Sequence, residues 1–212
     1  MDIKVKKSWS EVSIKDYQKI ESITHRELDS DLEKDIAILA VLAGIDENDI
    51  YGMPMVDLRG LLDEISWIAK PYDFPKEWKT NKLKIDGEEY IINPNINTFT
   101  VAQYADFQVF YDKKEEHMGR FLSIFIIPRG KKYNEGYDPT VLAERLEEVL
   151  SINDWNRICF FFLVAWTLSI AVSLRSSIKT LKKRMKKEKD PGKLAKMEKM
   201  MEELQTAKKT IG

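Results

Sequence analysis

Few side chains in this sequence are of the types that carry catalysis or bind metals, and they lie far apart. The chain of 212 residues contains one cysteine, Cys159, and two histidines, His25 and His117. A zinc site or a nucleophile–base pair requires several such residues at suitable spacing. Cys159 lies within an apolar run, where a small buried hydrophobe is the expected role. A single cysteine also excludes a disulfide framework.

One acidic cluster, at Asp46, Glu47 and Asp49, has the composition of a cation-binding loop. It lacks the alternating acids, the central glycine and the terminal glutamate of an EF-hand loop. We interpret these acids as the first turn of a short helix, where the helix dipole favours negative charge. The sequence also lacks a glycine-rich phosphate loop. We therefore expect no cofactor, no metal site and no enzyme.

Charge is divided unevenly along the chain. Residues 175–212 hold thirteen Lys/Arg and five Asp/Glu, a net of +8, whereas residues 1–174 carry a net of −9. An acidic body with a basic tail indicates head-to-tail self-association, or contact with nucleic acid or an anionic membrane surface. A solvated helical tail without a partner is the plain alternative.

The most apolar stretch, residues 158–174, contains seventeen residues and no charge. A bilayer crossing needs about 20 such residues, and Thr167, Ser169 and Ser173 dilute this run. A helix that is apolar on every side is typical of a protein interior. We therefore expect a long helix buried in the body or between subunits, with membrane contact and an exposed assembly surface as alternatives. The predicted assembly residues are Phe160, Phe161, Phe162, Leu163, Trp166 and Leu168.

Apolar residues at three- and four-residue spacing follow this run and predict a narrow helical seam. The helix break Asp190-Pro191-Gly192 interrupts it, so we expect a helical hairpin or a short coiled coil. The seam residues are Ile178, Leu181, Met185, Leu194, Met197, Met201 and Leu204. Basic residues surround the seam, including Lys182, Lys183, Arg184, Lys186 and Lys187. Packing against a partner helix accounts for the spacing, whereas nucleic-acid binding accounts only for the charge.

Residues 1–150 are predicted to form an acidic, mostly helical body. One β-hairpin is expected at about residues 82–92, because Asp86-Gly87 supplies the positive φ of a tight turn. Two strands alone are marginal, so the hairpin should lie on helices or gain a strand from the N-terminal arm or another subunit. The predicted fold class is mainly α (α+β). Residues 151–212 form the long apolar helix and the basic helical hairpin.

Two segments of the body are predicted as helices packed on one face. Pro54 begins a helix whose buried stripe starts at Met55 and includes Leu58 and Ile65. A second apolar helical face runs over residues 118–126 and ends before Pro128-Arg129-Gly130.

Four segments give the chain a particular layout: SWSEVSIKDYQKI, DLEKDIAILAVLAGIDENDIYGMPMVDLRGLLDEI, LKIDGEEYIINPNINTFTVAQYADF and FFFLVAWTLS, followed by the basic tail. They contain a W-x-E-(V/I)-(S/T) opening, an acid-to-apolar helix ending in glycine, a Met-Pro-led helix, a DG-x-x-Y hairpin and a T-x-x-Q-Y-x-D helix. Over about three quarters of the chain, this layout resembles the small tail-region or assembly proteins of tailed bacteriophages, especially crAss-like phages of Bacteroides-type hosts.

The resemblance implies a non-enzymatic virion protein of the tail region, present in many copies. It would occupy the tail or the capsid interior, and the host cytoplasm during assembly, as a tail component or as cargo ejected with the genome. The implied partners are further copies of itself and other tail or portal-region proteins. The charge of the basic tail leaves contact with genomic DNA as an alternative. One alternative is a tail assembly chaperone that is absent from the virion. The other is a membrane-anchored protein that uses residues 158–174.

Overall fold

The structure, a computed structural model, describes residues 3–70 and 81–211. The chain is mainly helical with one small antiparallel sheet, which confirms the predicted fold class at that level. It divides into two compact units. The first unit consists of Met1–Asn93 with Phe99–Phe160, and the second of Pro94–Thr98 with Phe161–Gly212. The boundary expected from the sequence lies at residue 150.

Four helices form the N-terminal part of the first unit: α1 (Ile14–Thr24), α2 (Asp31–Ala43), α3 (Glu47–Tyr51) and α4 (Met55–Ile65). Polar side chains begin the first three by accepting from backbone N–H groups. The acceptors are Ser13 (3.1 Å), Ser30 (3.2 Å) and Asp46 (2.8 Å). Gly44 ends α2 in the left-handed conformation, with φ of 68°, which glycine adopts without steric cost.

Three more helices complete the body: α5 (Val101–Tyr111), α6 (Met118–Phe125) and α7 (Pro139–Val149). Helices α6 and α7 approach closely at Gly119, where an added Cβ would lie 2.4 Å from the Ala143 carbonyl oxygen. The Gly119 backbone N–H donates to the Glu147 carboxylate at 3.0 Å. Glycine is therefore required at this crossing.

The predicted hairpin is present as strands β1 (Lys82–Ile85) and β2 (Glu88–Ile92). Asp86 and Gly87 form its turn with φ of 48° and 87°, as a tight primed turn requires. The third strand, β3 (Ile126–Pro128), pairs with β2 in the order β1-β2-β3. The hairpin therefore gains a strand, which was one of the two expected alternatives, but the strand comes from the body itself and not from the N-terminal arm or another subunit.

Ile126 lies in this strand, whereas the sequence placed it on a helical face, and the hydrogen bonds explain why. Pro128 has no N–H to donate to the Ile124 carbonyl. The buried side-chain amide of Gln103 donates to that carbonyl instead, at 2.5 Å. The Phe125 carbonyl accepts from the Asn93 backbone N–H at 2.8 Å. Helix α6 therefore ends at Phe125 and the chain continues as a strand.

Met55 also differs from its prediction, because its side chain is exposed rather than part of the buried stripe of α4. Leu58 and Ile65 are buried as expected. Met55 occupies the first position of the helix, where less of the neighbouring structure covers it. The buried stripe therefore begins one turn later than the pattern indicates.

Two long helices complete the chain. α8 (Ile152–Met185) has 34 residues and α9 (Pro191–Ile211) has 21. Ser151 begins α8, since its hydroxyl accepts from the Asp154 backbone N–H at 3.2 Å. Asp190 begins α9 by accepting from the Gly192 backbone N–H at 2.8 Å. Residues of α8 up to Phe160 belong to the first unit, and the remainder belongs to the second.

Candidate functional site

The seven predicted seam residues are all withdrawn from solvent to some degree. Leu181 and Met201 are buried, and the other five are half-buried. These five are Ile178, Met185, Leu194, Met197 and Leu204. Their spacing places each set on one side of its helix. The seam therefore has partly covered apolar surface on both α8 and α9.

The five predicted basic residues are all exposed: Lys182, Lys183, Arg184, Lys186 and Lys187. Within the described part of the chain, none of them forms an ion pair with a carboxylate. They lie between and beside the seam positions, so the second unit combines apolar and basic surface. An unneutralised cluster of this kind attracts an acidic partner or a phosphate backbone.

The six predicted assembly residues of the apolar run differ in their exposure to solvent. Phe160 and Leu163 are exposed, Phe161 is half-buried and Phe162 is buried. The side chains of Trp166 and Leu168 lie outside the described residues. Val164 is exposed beside Leu163, so α8 presents apolar side chains to solvent along part of its length. The run is therefore not fully covered within one chain.

Residues 3–70 and 81–211 include no helix that combines the length and the mean hydropathy of a bilayer span.

Among the described residues, the side chains of the types that carry catalysis or bind metals lie apart from one another. Burial raises the pKa of the Cys159 thiol, which keeps it in the unreactive protonated form. His25 is exposed, with its Nε2 3.4 Å from the Glu21 carboxylate. Among the described residues, no three His, Cys, Asp or Glu side chains come together as metal ligands.

A polar cluster of the first unit surrounds Arg145 on α7. Its guanidinium lies 3.1 Å from Asp86 and 2.7 Å from Glu88, and donates to the Tyr90 hydroxyl at 2.9 Å. The hydrogen bonds from Tyr90 and Arg145 lower the pKa of Glu88. This cluster borders a cleft of about 690 Å³. Because Arg145 is bound to carboxylates from the hairpin, its evident role is to fix the sheet to α7.

A further surface lies at the corner between α3 and α4, where the sequence patterns singled out the acidic residues but not the exposed apolar side chains. We define the α3–α4 corner as residues 46–57. Tyr51, Met55 and Val56 are exposed there, beside exposed acids. In the sequence, this surface could have been found as a stretch without basic residues that includes three large apolar side chains.

No protein-family model, no curated protein and no solved structure matches the chain.

Proposed function

We propose that this chain is a non-enzymatic virion protein of a tailed bacteriophage, located in the tail region, which acts through contacts with other protein subunits. The layout described above supports the phage assignment by resemblance. The seam supports the mode of action, because its residues are withdrawn from solvent while the surrounding basic residues are exposed. That separation is what helix-to-helix packing requires.

The depth of burial along the seam is the observation that carries the proposal. Five of its seven residues are half-buried, so apolar surface is left for another helix. Full burial of one leucine or methionine side chain contributes about 1.5–3 kcal/mol. The second unit is also small, and small units gain most from association. Association with further copies, or with other tail or portal-region proteins, would complete the burial.

The long apolar helix belongs to the same proposal. Exposed Phe160, Leu163 and Val164 give α8 a surface that subunit contacts would cover. As cargo, the protein would be held in the tail or capsid and ejected with the genome. A mostly helical chain with one cysteine has no internal disulfide to prevent threading through a tail tube.

Mass spectrometry of purified virions tests the proposal. We expect the protein in intact particles in many copies, at a fixed ratio to the major tail proteins. Ejection of the genome in vitro should release it if it is cargo and retain it if it is a fixed tail component. Absence from the particles, together with abundance in infected cells, would overturn the virion assignment and favour the tail assembly chaperone.

Contact with genomic DNA is a second candidate, favoured by the exposed basic residues of α8. Replacement of Lys182, Lys183, Lys186 and Lys187 by glutamine removes four positive charges. If phosphates bind there, the affinity for duplex DNA should fall steeply as salt rises in the native protein, and the salt slope should flatten in the variant. Equal slopes for the two proteins would exclude this contact.

A further inference from the structure

The α3–α4 corner presents apolar side chains to solvent from a fixed backbone. Tyr51, Met55 and Val56 are 55%, 53% and 75% exposed. Ile50 and Leu58 are buried on the same two helices, so the backbone between them is held to the core of the first unit. Adjacent exposed apolar side chains on a rigid surface are typical of interaction sites.

Negative charge surrounds these side chains. Asp46, Glu47, Asp49 and Asp57 are exposed, and the α3–α4 corner contains no lysine, arginine or histidine. The wider segment 27–64 holds eleven Asp/Glu and two Lys/Arg, a net of −9, which equals the net charge of residues 1–174. The acidic excess of the body is therefore concentrated in the segment that includes the corner.

The second unit has the complementary properties. Its basic residues from Arg175 to Lys199 are exposed, and Val172 on α8 and Met200 on α9 are exposed apolar side chains. Residues 175–212 carry a net of +8. An amphipathic basic helix and an acidic apolar surface form a common pair in helix recognition, because apolar burial supplies affinity and charge supplies orientation.

We propose that the α3–α4 corner of one copy binds the basic second unit of another copy of this chain. The nearly equal and opposite charges of the two segments identify a second copy as the complementary partner. This inference rests on the proposed assembly role, and it identifies the two surfaces through which copies of the chain associate.

The two surfaces are different, so the contact is heterologous. Each pair of copies leaves one corner and one basic unit free, and repetition gives a closed ring or an open filament. A protein present in many copies in a virion fits either arrangement.

Sedimentation velocity of the full chain tests the contact. The variant Glu47→Gln/Asp49→Asn/Asp57→Asn neutralises three acids of the corner and leaves the capping Asp46 intact. The control Asp112→Asn/Glu116→Gln/Glu144→Gln neutralises three exposed acids elsewhere in the first unit. The two variants have the same net charge. We expect the corner variant to self-associate about tenfold more weakly than the native protein at about 0.05 M salt, and the control to match the native protein.

Mixing experiments distinguish this contact from one between two like surfaces. The tail variant Lys182→Gln/Lys183→Gln/Lys186→Gln/Lys187→Gln loses the basic side of the contact. The corner variant and the tail variant should each remain largely monomeric. Their mixture should form one-to-one pairs that do not grow further, because each pair has one intact corner and one intact tail. Absence of pairs in the mixture contradicts the proposal.

The remaining outcomes have separate meanings. If the native protein and the corner variant associate equally, the corner is not the binding surface, but the assembly role stands. If the native protein stays monomeric and expands as salt rises, the basic unit docks within its own chain, and the second-copy contact is overturned. Circular dichroism of each variant verifies that its helical content matches that of the native protein.

Discussion

The two units bury their apolar side chains to different extents. In the first unit, Phe121, Leu122 and Phe125 of α6 are 2% exposed or less. In the second unit, two of the seven seam residues are buried, with 8% of Leu181 and 7% of Met201 exposed, and five are half-buried. A unit whose core is closed has little to gain from a partner, whereas a half-covered apolar stripe gains stability from any helix that covers it. We therefore expect the second unit to gain more stability from a partner than the first.

The two units also differ in how far their polar side chains are paired. In the first unit, hydrogen bonds of three side chains link separate elements. Arg145 of α7 donates to Glu88 of β2, and Gln103 of α5 donates to the Ile124 carbonyl of α6. Glu147 of α7 accepts from the Gly119 backbone N–H of α6. In the second unit, the exposed basic residues of α8 form no ion pair with any described carboxylate. A cluster of like charges without counter-charges destabilises an isolated unit and is relieved by an acidic partner.

The largest effect is expected from loss of core packing in the first unit. Phe121 is buried and lies edge-to-face with Phe125 (5.3 Å) and Trp155 (5.8 Å). Phe121→Ala should lower the free energy of unfolding by about 3–5 kcal/mol. Tyr104→Ala, at an exposed position of α5, should cost about 1 kcal/mol or less. Urea denaturation measures both, and equal losses would refute the closed core that we assign to the first unit.

The next effect concerns the close approach of α6 and α7. Gly119→Ala introduces a Cβ 2.4 Å from the Ala143 carbonyl and should cost about 2 kcal/mol or more, as overpacking does. Gly60→Ala is the matched control, because a Cβ there meets nothing within 4 Å. That change should stabilise α4 by about 0.5–1 kcal/mol. Thermal melting compares the two, and a shift of the same sign would be inconsistent with this helix contact.

A smaller effect is expected in the second unit. Met201 is 7% exposed and its neighbour Met200 is 56% exposed. Met201→Ser should weaken α8 and α9 by about 1–2 kcal/mol, whereas Met200→Ser should change their stability by about 0.5 kcal/mol or less. Hydrogen exchange of residues 178–204 measures the local effect. Exchange in α6 should stay unchanged in both variants, since the two units differ in stability.

The smallest effect comes from one carboxylate of the first unit. Burial raises the pKa of Asp16, but hydrogen bonds from Lys6 and Ser13 outweigh it and hold that pKa below its ordinary value. Asp16→Asn should cost about 1 kcal/mol at neutral pH. Because the folded-state pKa is depressed, this contribution is present above the unfolded pKa, at about 4, and is lost as pH falls through the folded value.

Denaturation from pH 7 to pH 2 measures that dependence. The stability difference between the native protein and Asp16→Asn should shrink below about pH 4. Asp112→Asn, at an exposed position, serves as the control and should leave stability unchanged at neutral pH. A difference for Asp16→Asn that is constant with pH would contradict the assigned role of the Lys6 ion pair.

Local signals in the sequence predict much of the fold, and tertiary contacts explain what they miss. The turn at Asp86-Gly87 appears as expected, and a capping box joins Thr100 and Gln103 at the start of α5, because neighbouring residues determine both features. The third strand was missed because residues 118–126 are apolar at helical spacing. Its formation depends on Pro128 and on a hydrogen bond from Gln103, which lies 21 residues away from Ile124 in the chain.

In the candidate site, too, local signals in the sequence predict one part and tertiary contacts determine the rest. The three- and four-residue spacing of the seam identified which side of each helix is withdrawn from solvent, but not that most of it stays half-buried. The extent to which the seam residues are buried depends on which side chains of the rest of the chain cover them. The α3–α4 corner was missed because Met55 fits the apolar pattern of a buried stripe. Its exposure follows from its place at the first position of α4.

The native mass of the full chain tests the central claim, that the protein acts by association of subunits. Sedimentation equilibrium at low salt, over a hundredfold range of protein concentration up to about 0.1 mM, measures it. We expect multiples of the 24.8 kDa chain mass, with a share of oligomer that rises with concentration and falls with added salt. A mass of one chain at every concentration would contradict self-association and remove the basis for the contact between the α3–α4 corner and the second unit.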